Sequence, residues 1–410
     1  MFWKTVKPLF SNKVNSSTNI KLVEDEEIVQ DNDKVADILN SFFKNAVASL
    51  GIEENSYIVS QDFINISDPI DRAITKYHIH PSILIIKDEI KVNETFSFEP
   101  VCIADIENEL KDINPKKATT DGNIPPKILK QSSSVASPVL LELLNKSFIS
   151  CVFPESLKLA DITPVLKKKD PLNKSNYRPV SVLPIISKIF EKIMQKQMNQ
   201  YMNPHLSPYL CGFRKGFNTQ QALLSLIENW KKILDNKGFG GAVLMDLSKA
   251  FDTLNHELLI AKLHAYGFQR DSLRLLYSYL TNRWQRTKVN SSFSSWTELL
   301  QGVPQGSVLG PLLFNIYLND LFFITESTEV CNFADDTTFY ACDNNLSSLM
   351  NRLEHDSYLA IEWFENNHMK LNQDKCHLIV PGCKFEYVFP KIGESKIWES
   401  SIKKLLGLGL

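Results

Sequence analysis

Three acidic residues stand where acids are costly. Asp246 interrupts the apolar run Ala242-Val243-Leu244-Met245-Asp246-Leu247, and Asp335 and Asp336 are adjacent in Phe333-Ala334-Asp335-Asp336-Thr337, between two strand-like runs. Adjacent carboxylates repel, so a fold gains nothing from such a pair near its core unless cations neutralise it. Hard oxygen ligands in that arrangement suit Mg²⁺, which keeps several waters and shares substrate phosphates. Two such ions, about 3.5–4 Å apart, stabilise the attacking and leaving oxygens of phosphoryl transfer. The plainer alternatives are an Asp-Asp turn bonded to its own backbone and an Asp246 that merely caps a helix.

The rest of the chain must position those acids. Its 410 residues fit two or three units on a prior of about 150 residues each. Hydrophobic residues at 43% and charged residues at 22% exclude a disordered or fibrous chain and allow a sizeable core. A formal charge of −2 hides an asymmetry. Residues 22–112 hold 20 acids against 7 Lys/Arg, a net of −13, whereas residues 156–216 hold 11 Lys/Arg against 3 acids, a net of +8. The second stretch attracts phosphate and the first repels it. Seven cysteines without a CxxC pair speak against a disulfide framework or a structural zinc. No apolar stretch follows the lysines of Met1–Phe10, and the run Pro311–Ile324 is too short and too interrupted to cross a bilayer. The expectation is a soluble intracellular protein of nucleus or cytoplasm, with no membrane partner.

Apolar periodicity predicts helices from an Asp33 cap towards Gly51, over 103–113, 185–201, 219–234, 256–266 and 271–282, from a Ser307 cap to about 324, and over 346–366. Residues 242–247 and 376–380 read as strands, with hairpins over 287–300 and about 334–337. The acidic stretch 52–100 reads as an irregular connector. Helices mixed with hairpins, without βαβ alternation, indicate an α+β architecture.

Five segments occur in a telling order: Asn176-Tyr177-Arg178-Pro179-Val180-Ser181, Gly212-Phe213-Arg214-Lys215-Gly216, Met245-Asp246-Leu247-Ser248-Lys249-Ala250-Phe251-Asp252, Gly302-Val303-Pro304-Gln305-Gly306-Ser307-Val308-Leu309-Gly310-Pro311 and Phe333-Ala334-Asp335-Asp336. Together they resemble the reverse transcriptase domain of non-LTR (LINE-type, jockey/CR1-like) retrotransposons, from about Asn145 onwards. Residues 1–50 resemble that family's connector between endonuclease and polymerase.

The resemblance implies a right-hand polymerase with fingers and an antiparallel palm sheet. Asp246, Asp335 and Asp336 would then be the ligands of two Mg²⁺ ions, with Mn²⁺ the alternative metal. Phe251 would be an aromatic gate that excludes a ribose 2′-hydroxyl; an ordinary core aromatic is the alternative. Asp252 follows the pattern and is expected to be structural. Arg178 and Lys169, the last of the run Lys167-Lys168-Lys169, would neutralise the triphosphate of an incoming dNTP, the alternative for the lysines being a solvated face. Arg214 and Lys215 would touch template or backbone phosphate. Gln305 and Gly306 would open the platform for dNTP and template base, with glycines 302, 306 and 310 allowing close approach to substrate. Lys375 would protonate departing pyrophosphate, or is a plain surface lysine. Leu405-Leu406-Gly407 resembles the start of a primer-grip hairpin.

The chain departs from the family near residue 120. Thr120-Asp121-Gly122 stands before Asn123-Ile124-Pro125 where the family has Gly-x-Asp before Ile-Pro. The expected division is a connector and helical extension over 1–144 and the polymerase over 145–410, with the thumb missing and an endonuclease belonging to the longer element product. The expected function is RNA-directed DNA polymerase: an RNA template, a DNA primer and dNTPs as partners, the primer 3′-hydroxyl attacking the α-phosphate. The rival expectation is a non-catalytic remnant that binds nucleic acid by charge. A group II intron-type maturase is a weaker third.

Overall fold

A computed structural model describes residues 20–45, 47–51, 65–167, 170–380 and short strand fragments between 391 and 399. A ribbon of β1 (Leu22–Glu24) and β2 (Glu27–Val29) leads into α1 (Asn32–Lys44). The cap of α1 is Asp31 rather than Asp33: its carboxylate accepts from the Lys34 amide at 3.0 Å. The stretch read as an irregular connector contains α2 (Pro69–Lys76) and α3 (Pro81–Ile85). Each begins with proline behind a side-chain cap, Asp68 or His80, and proline preset at the first helical position starts a helix that is too short to show periodicity. Next come α4 (Ile103–Lys111), α5 (Pro126–Gln131), α6 (Ser133–Ser150), β3 (Leu159–Leu166), β4 (Tyr177–Val182), α7 (Ile185–Met202) and α8 (Thr219–Asp235). The second half runs β5 (Phe239–Met245), α9 (His256–Ala265), α10 (Arg270–Leu280), β6 (Arg283–Val289), β7 (Ser292–Phe293), β8 (Thr297–Leu299) and α11 (Gly310–Leu318). It closes with β9 (Glu329–Phe333), β10 (Asp336–Asp343), α12 (Leu346–Asn366), β11 (His377–Ile379) and the fragments β12 (Lys391–Ile392), β13 (Ser395–Lys396) and β14 (Trp398–Glu399).

The expected α+β class is what these elements form. One sheet has the order β14-β11-β5-β10-β9, antiparallel except where β14 meets β11. Side chains alternate across it. Val243, Met245, Phe339, Ala341 and Leu378 join the main core, which includes Leu349 and Leu353 of α12, whereas Ala242, Tyr340 and Ile379 pack on Leu226 and Trp230 of α8. Both faces are covered, which is why 242–245 reads as an unbroken apolar run rather than an alternating one. A second sheet, β4-β3-β6-β7, carries β8 on β6 and joins β3 to β6 in parallel.

No break between cores falls at the expected 144/145 boundary. Ile70, Ile106, Leu140 and Leu144 share the main core with Phe190 and Leu259, and α1 packs Val35 and Leu39 against Ala160, Ile162 and Tyr177. The acidic segment also discharges part of the basic one: Lys174 pairs with Glu24 at 2.6 Å, Lys192 with Glu109 at 2.8 Å and Lys196 with Asp105 at 3.4 Å. The charge asymmetry is thus partly a docking surface between two parts of the same molecule. At the altered turn, the Asp121 amide donates to buried Asp161 at 2.7 Å, and Gly122 supplies φ +76°. Among the described residues, no helix is long and apolar enough to cross a membrane.

Two buried histidines give the fold a pH dependence. His80 bonds the Asn366 carbonyl at 3.0 Å and accepts from the Ser82 amide; His256 bonds the Gly302 carbonyl at 2.7 Å. In each case Nε2 faces a carbonyl, so it carries the proton of a neutral ring. Burial pulls both down to about 4, with the Lys262 charge adding to the effect at His80 and Arg283 at His256. Above the ordinary value of 6.5 nothing titrates at either site. Below it the unfolded chain takes up protons that the folded chain refuses, so stability falls until about pH 4, by at most roughly 3 kcal/mol per histidine. Urea unfolding between pH 7.5 and 4.5 should show this loss, and His256→Gln should flatten part of it; a pH-independent midpoint would refute the assignment.

Candidate active site

The three acids meet at one end of the first sheet. Thr337 lies opposite Met245, so the next antiparallel pair is Asp336 opposite Asp246, where β5 finishes and β10 begins. Asp336 pairs with Phe333 across the β9–β10 hairpin, leaving Ala334-Asp335 as its two-residue turn. Ala334 has φ +61° there, the left-handed backbone that tight hairpin turns require. Lys375 Nζ stands 2.8 Å from Asp246 Oδ2, and the Asn372 amide bonds the Asp246 carbonyl at 2.8 Å. Thus the segment before β11 closes a third side.

Electrostatics mark the site. Part of the Asp336 side chain reaches solvent, yet enough protein surrounds it to raise its pKa, and the Asp335 and Asp246 carboxylates raise it further against the opposing pull of Lys375. The donor set is all hard oxygen, and its repulsion is only partly offset by Lys375, so a cation would relieve it, which fits Mg²⁺. Among the described residues no three such side chains form a ready-made metal cluster.

Phe251 is half-buried, stacked on Phe314 of α11 with centroids 4.6 Å apart, and met edge-on by Phe213 at 5.8 Å. Asp252 bears out its structural reading: both carboxylate oxygens accept from Gln305 Nε2 at 3.0 Å, and burial raises its pKa. The Gln305 amide is therefore held in a fixed direction. Gly306, at φ +120°, has no room for a Cβ, which would lie 2.7 Å from the Ser181 carbonyl oxygen; Gly302 likewise abuts the Asp252 backbone. The close approaches expected for substrate at these glycines are approaches to the chain's own backbone, and the Gly310 position faces the Ser307 side chain. The approach at Gly306 ties the loop to β4, reinforced by the Ser181 amide on the Gln305 carbonyl at 2.7 Å.

Arg178 lies exposed on β4 with no ion pair among the described residues. Lys169 falls outside the described residues, as do Lys168 and Leu405-Leu406-Gly407. Lys215 is exposed, whereas Arg214 turns inward. Arg214 Nη1 donates to the Ser207 and Leu210 carbonyls at 2.6 and 3.2 Å, and its guanidinium sits 4.4 Å over the Phe217 ring. It shapes the 207–217 loop, where phosphate contact was expected. Sequence reasoning missed Glu191, which is fully buried on α7 and accepts from the Val308 and Leu309 amides at 2.6 and 3.0 Å. A carboxylate on the two amides just before α11 also favours the helix dipole, and Ser307 accepts from the Gly310 amide at the same end. Beside this loop a cavity of about 390 Å³ is lined by Phe43, Val47, Ser181, Gln301, Gln305 and His368, among others.

The reverse transcriptase (RNA-dependent DNA polymerase) family matches residues 166–408. The RNA-directed DNA polymerase from mobile element jockey of Drosophila melanogaster is 25% identical over 321 residues, covering 75% of this chain and 35% of that protein. The probable RNA-directed DNA polymerase from transposon BS of the same organism is 27% identical, covering 70% of this chain and 33% of that protein. That from transposon X-element is 30% identical over 54% of this chain and 25% of that protein. The chain thus spans about a third of the length of the first two of these relatives. It belongs to the reverse transcriptase (RNA-dependent DNA polymerase) family, in the form carried by non-LTR retrotransposons.

Proposed function

We propose that this chain is the polymerase core of an RNA-directed DNA polymerase, with the first sheet as palm and the β3–β4–β6 sheet as part of the fingers. The observation that carries the reading is Asp336 facing Asp246 across the end of β5 and β10, with Asp335 in the adjoining turn. When bound there, Mg²⁺ would supply charge stabilisation on the attacking and leaving oxygens as a primer 3′-hydroxyl displaces pyrophosphate from a dNTP. Asp246, Asp335 and Asp336 hold that charge in place. Exposed Arg178 is free to meet the triphosphate, and Gln305, oriented by Asp252, faces the sugar and base. Phe251, backed by Phe314, would leave no room for a 2′-hydroxyl. Lys375, whose Nζ donates to Asp246 at 2.8 Å, would be the group that protonates departing pyrophosphate.

Primer extension on an RNA template with dNTPs and Mg²⁺ tests the proposal. Wild type should make template-directed DNA and an Asp335→Ala/Asp336→Ala double variant should not. Hybrid binding that weakens with salt, without extension by either protein, would favour the charge-driven remnant instead.

A further inference from the structure

Asn332 lies within β9, three residues before Asp335, and sequence reasoning gave it no role. It is completely buried. Its Nδ2, with two hydrogens shared among three acceptors, lies 3.0 Å from the Ala334 carbonyl, 3.1 Å from the Asp336 carbonyl and 3.0 Å from Thr337 Oγ1. Both carbonyls belong to the two-residue turn and its exit, so a single amide ties the turn together from beneath. Its backbone is held too: the Cys211 amide donates to the Asn332 carbonyl at 3.1 Å, and the Asn332 amide to the Tyr209 carbonyl at 3.3 Å.

The next residue of that neighbouring loop presses on the turn from outside. A Cβ on Gly212 would lie 2.2 Å from the Ala334 nitrogen and 2.7 Å from its Cα. The Gly212 carbonyl is fixed in turn by Asn315 Nδ2 of α11 at 2.8 Å. Ala334 at φ +61° is in a backbone conformation that a residue with a Cβ adopts at a cost. A turn under such a cost relaxes when its restraints are removed. Repulsion among the carboxylates it carries pushes in the same direction.

We propose that Asn332 is a positioning residue for the reaction: its amide fixes the Ala334-Asp335 turn so that Asp335 and Asp336 face Asp246. This rests on the polymerase reading for its catalytic consequence, but the bracing of the turn is measurable without it. Asn332→Leu keeps the branched shape, though it is somewhat larger, and removes the donors. In the full chain, hydrogen exchange at the turn amides within 329–340 should then rise at least about tenfold, while the amides of α9 and α12 stay protected. In primer extension, half-saturating Mg²⁺ should rise at least about fivefold and kcat fall at least about tenfold, with the KM for dNTP held within about twofold.

A purely structural role would lower the unfolding midpoint and leave Mg²⁺ dependence unchanged. A folded Asn332→Leu protein with wild-type exchange and Mg²⁺ dependence overturns the proposal. Should that variant fail to fold, Asn332→Ser keeps one donor and should give an intermediate rise in exchange; wild-type behaviour in it overturns the proposal equally. If no protein extends a primer yet exchange at the turn rises in the variants, the brace stands and the polymerase reading falls.

Discussion

Asp336→Asn is expected to cut template-directed incorporation by at least about a hundred- to a thousandfold and to make the metal-free protein more stable rather than less. The two effects share one cause. Asp336 is partly covered by protein and lies near the Asp335 and Asp246 carboxylates, and these together raise its pKa above the ordinary 3.8. The folded state therefore holds the Asp336 proton more tightly than the unfolded chain does. Stability conferred by that proton is complete below 3.8 and is lost as pH rises through the folded value. At neutral pH the full cost is present. Asparagine resembles the protonated form and carries no such cost, so the melting temperature at pH 7.5 in chelator should rise by about 1–3 °C. As pH falls towards 4 the gap should narrow, because wild-type Asp336 takes up its proton more readily in the folded state, and the histidine effect is common to both. A lower melting temperature for the variant at pH 7.5 would mean that Asp336 is held by favourable contacts, and the metal-ligand assignment would lose its electrostatic support. A protein that retains such strain stores it where charge must be bound.

The acids were legible because they break a rule. Asp246 ends an apolar run and Asp335-Asp336 doubles a charge between strands, and both violations survive as a juxtaposition across β5 and β10. Helices with clear 3.6-residue periods were legible as well: the expected 346–366 and 185–201 helices match α12 and α7 to within one residue. Short elements were not. β3 and β4 carry Pro164 and Pro179 and border the lysine run, a composition that reads as loop; they hold because β3 finds partners on both sides. α6 contains Pro138, a residue that argues against a helix unless it falls near the first turn. The expected helix from Ser307 to about 324 gives way to α11 and a following 3₁₀ turn at Asn319–Phe323.

Side-chain direction was the least legible quantity. Arg214 and Lys215 are adjacent cations with the same sequence-level expectation, yet one satisfies carbonyls inside its own loop and the other is exposed. Glu191 and Asn332 could be read as surface polar residues of a helix and a strand. Their burial follows from long-range partners, Val308, Leu309 and the hairpin carbonyls. No local pattern encodes such partners. The N-terminal segment is a similar case: Lys249, in the Asp246 loop, lies 4.8 Å over the Phe42 ring of α1, and Lys370 donates to the Leu50 carbonyl at 2.5 Å. A stretch read as connector touches both sides of the candidate active site.

Lys262→Met is expected to cost about 3–5 kcal/mol in urea unfolding, the largest stability loss of any single substitution considered, although Lys262 contacts none of the three acids. Lys262 and Asp320 are both wholly buried and paired at 2.6 Å. The ammonium also donates to the Tyr317 carbonyl at 2.7 Å and lies 4.6 and 4.8 Å over the Tyr317 and Trp363 rings. Trp363 Nε1 donates to the second Asp320 oxygen at 2.6 Å. Burial pulls Lys262 down to about 8 even with the Asp320 charge beside it, so the pair is held at a desolvation cost that its geometry only just offsets. Methionine fills the space of the lysine stem but leaves the Asp320 carboxylate buried without a cation. The double variant Lys262→Met/Asp320→Asn removes both charges and keeps an amide for Trp363, so it should recover most of the loss. A double variant as unstable as the single one would show that packing around the lysine stem, not charge pairing, dominates. The pair joins α9 to the end of α11 and to α12, the elements that back Phe314 and the 302–309 loop. Recovery of stability without recovery of primer extension would therefore separate what the pair contributes to folding from what it contributes to the alignment of Phe251 and Gln305.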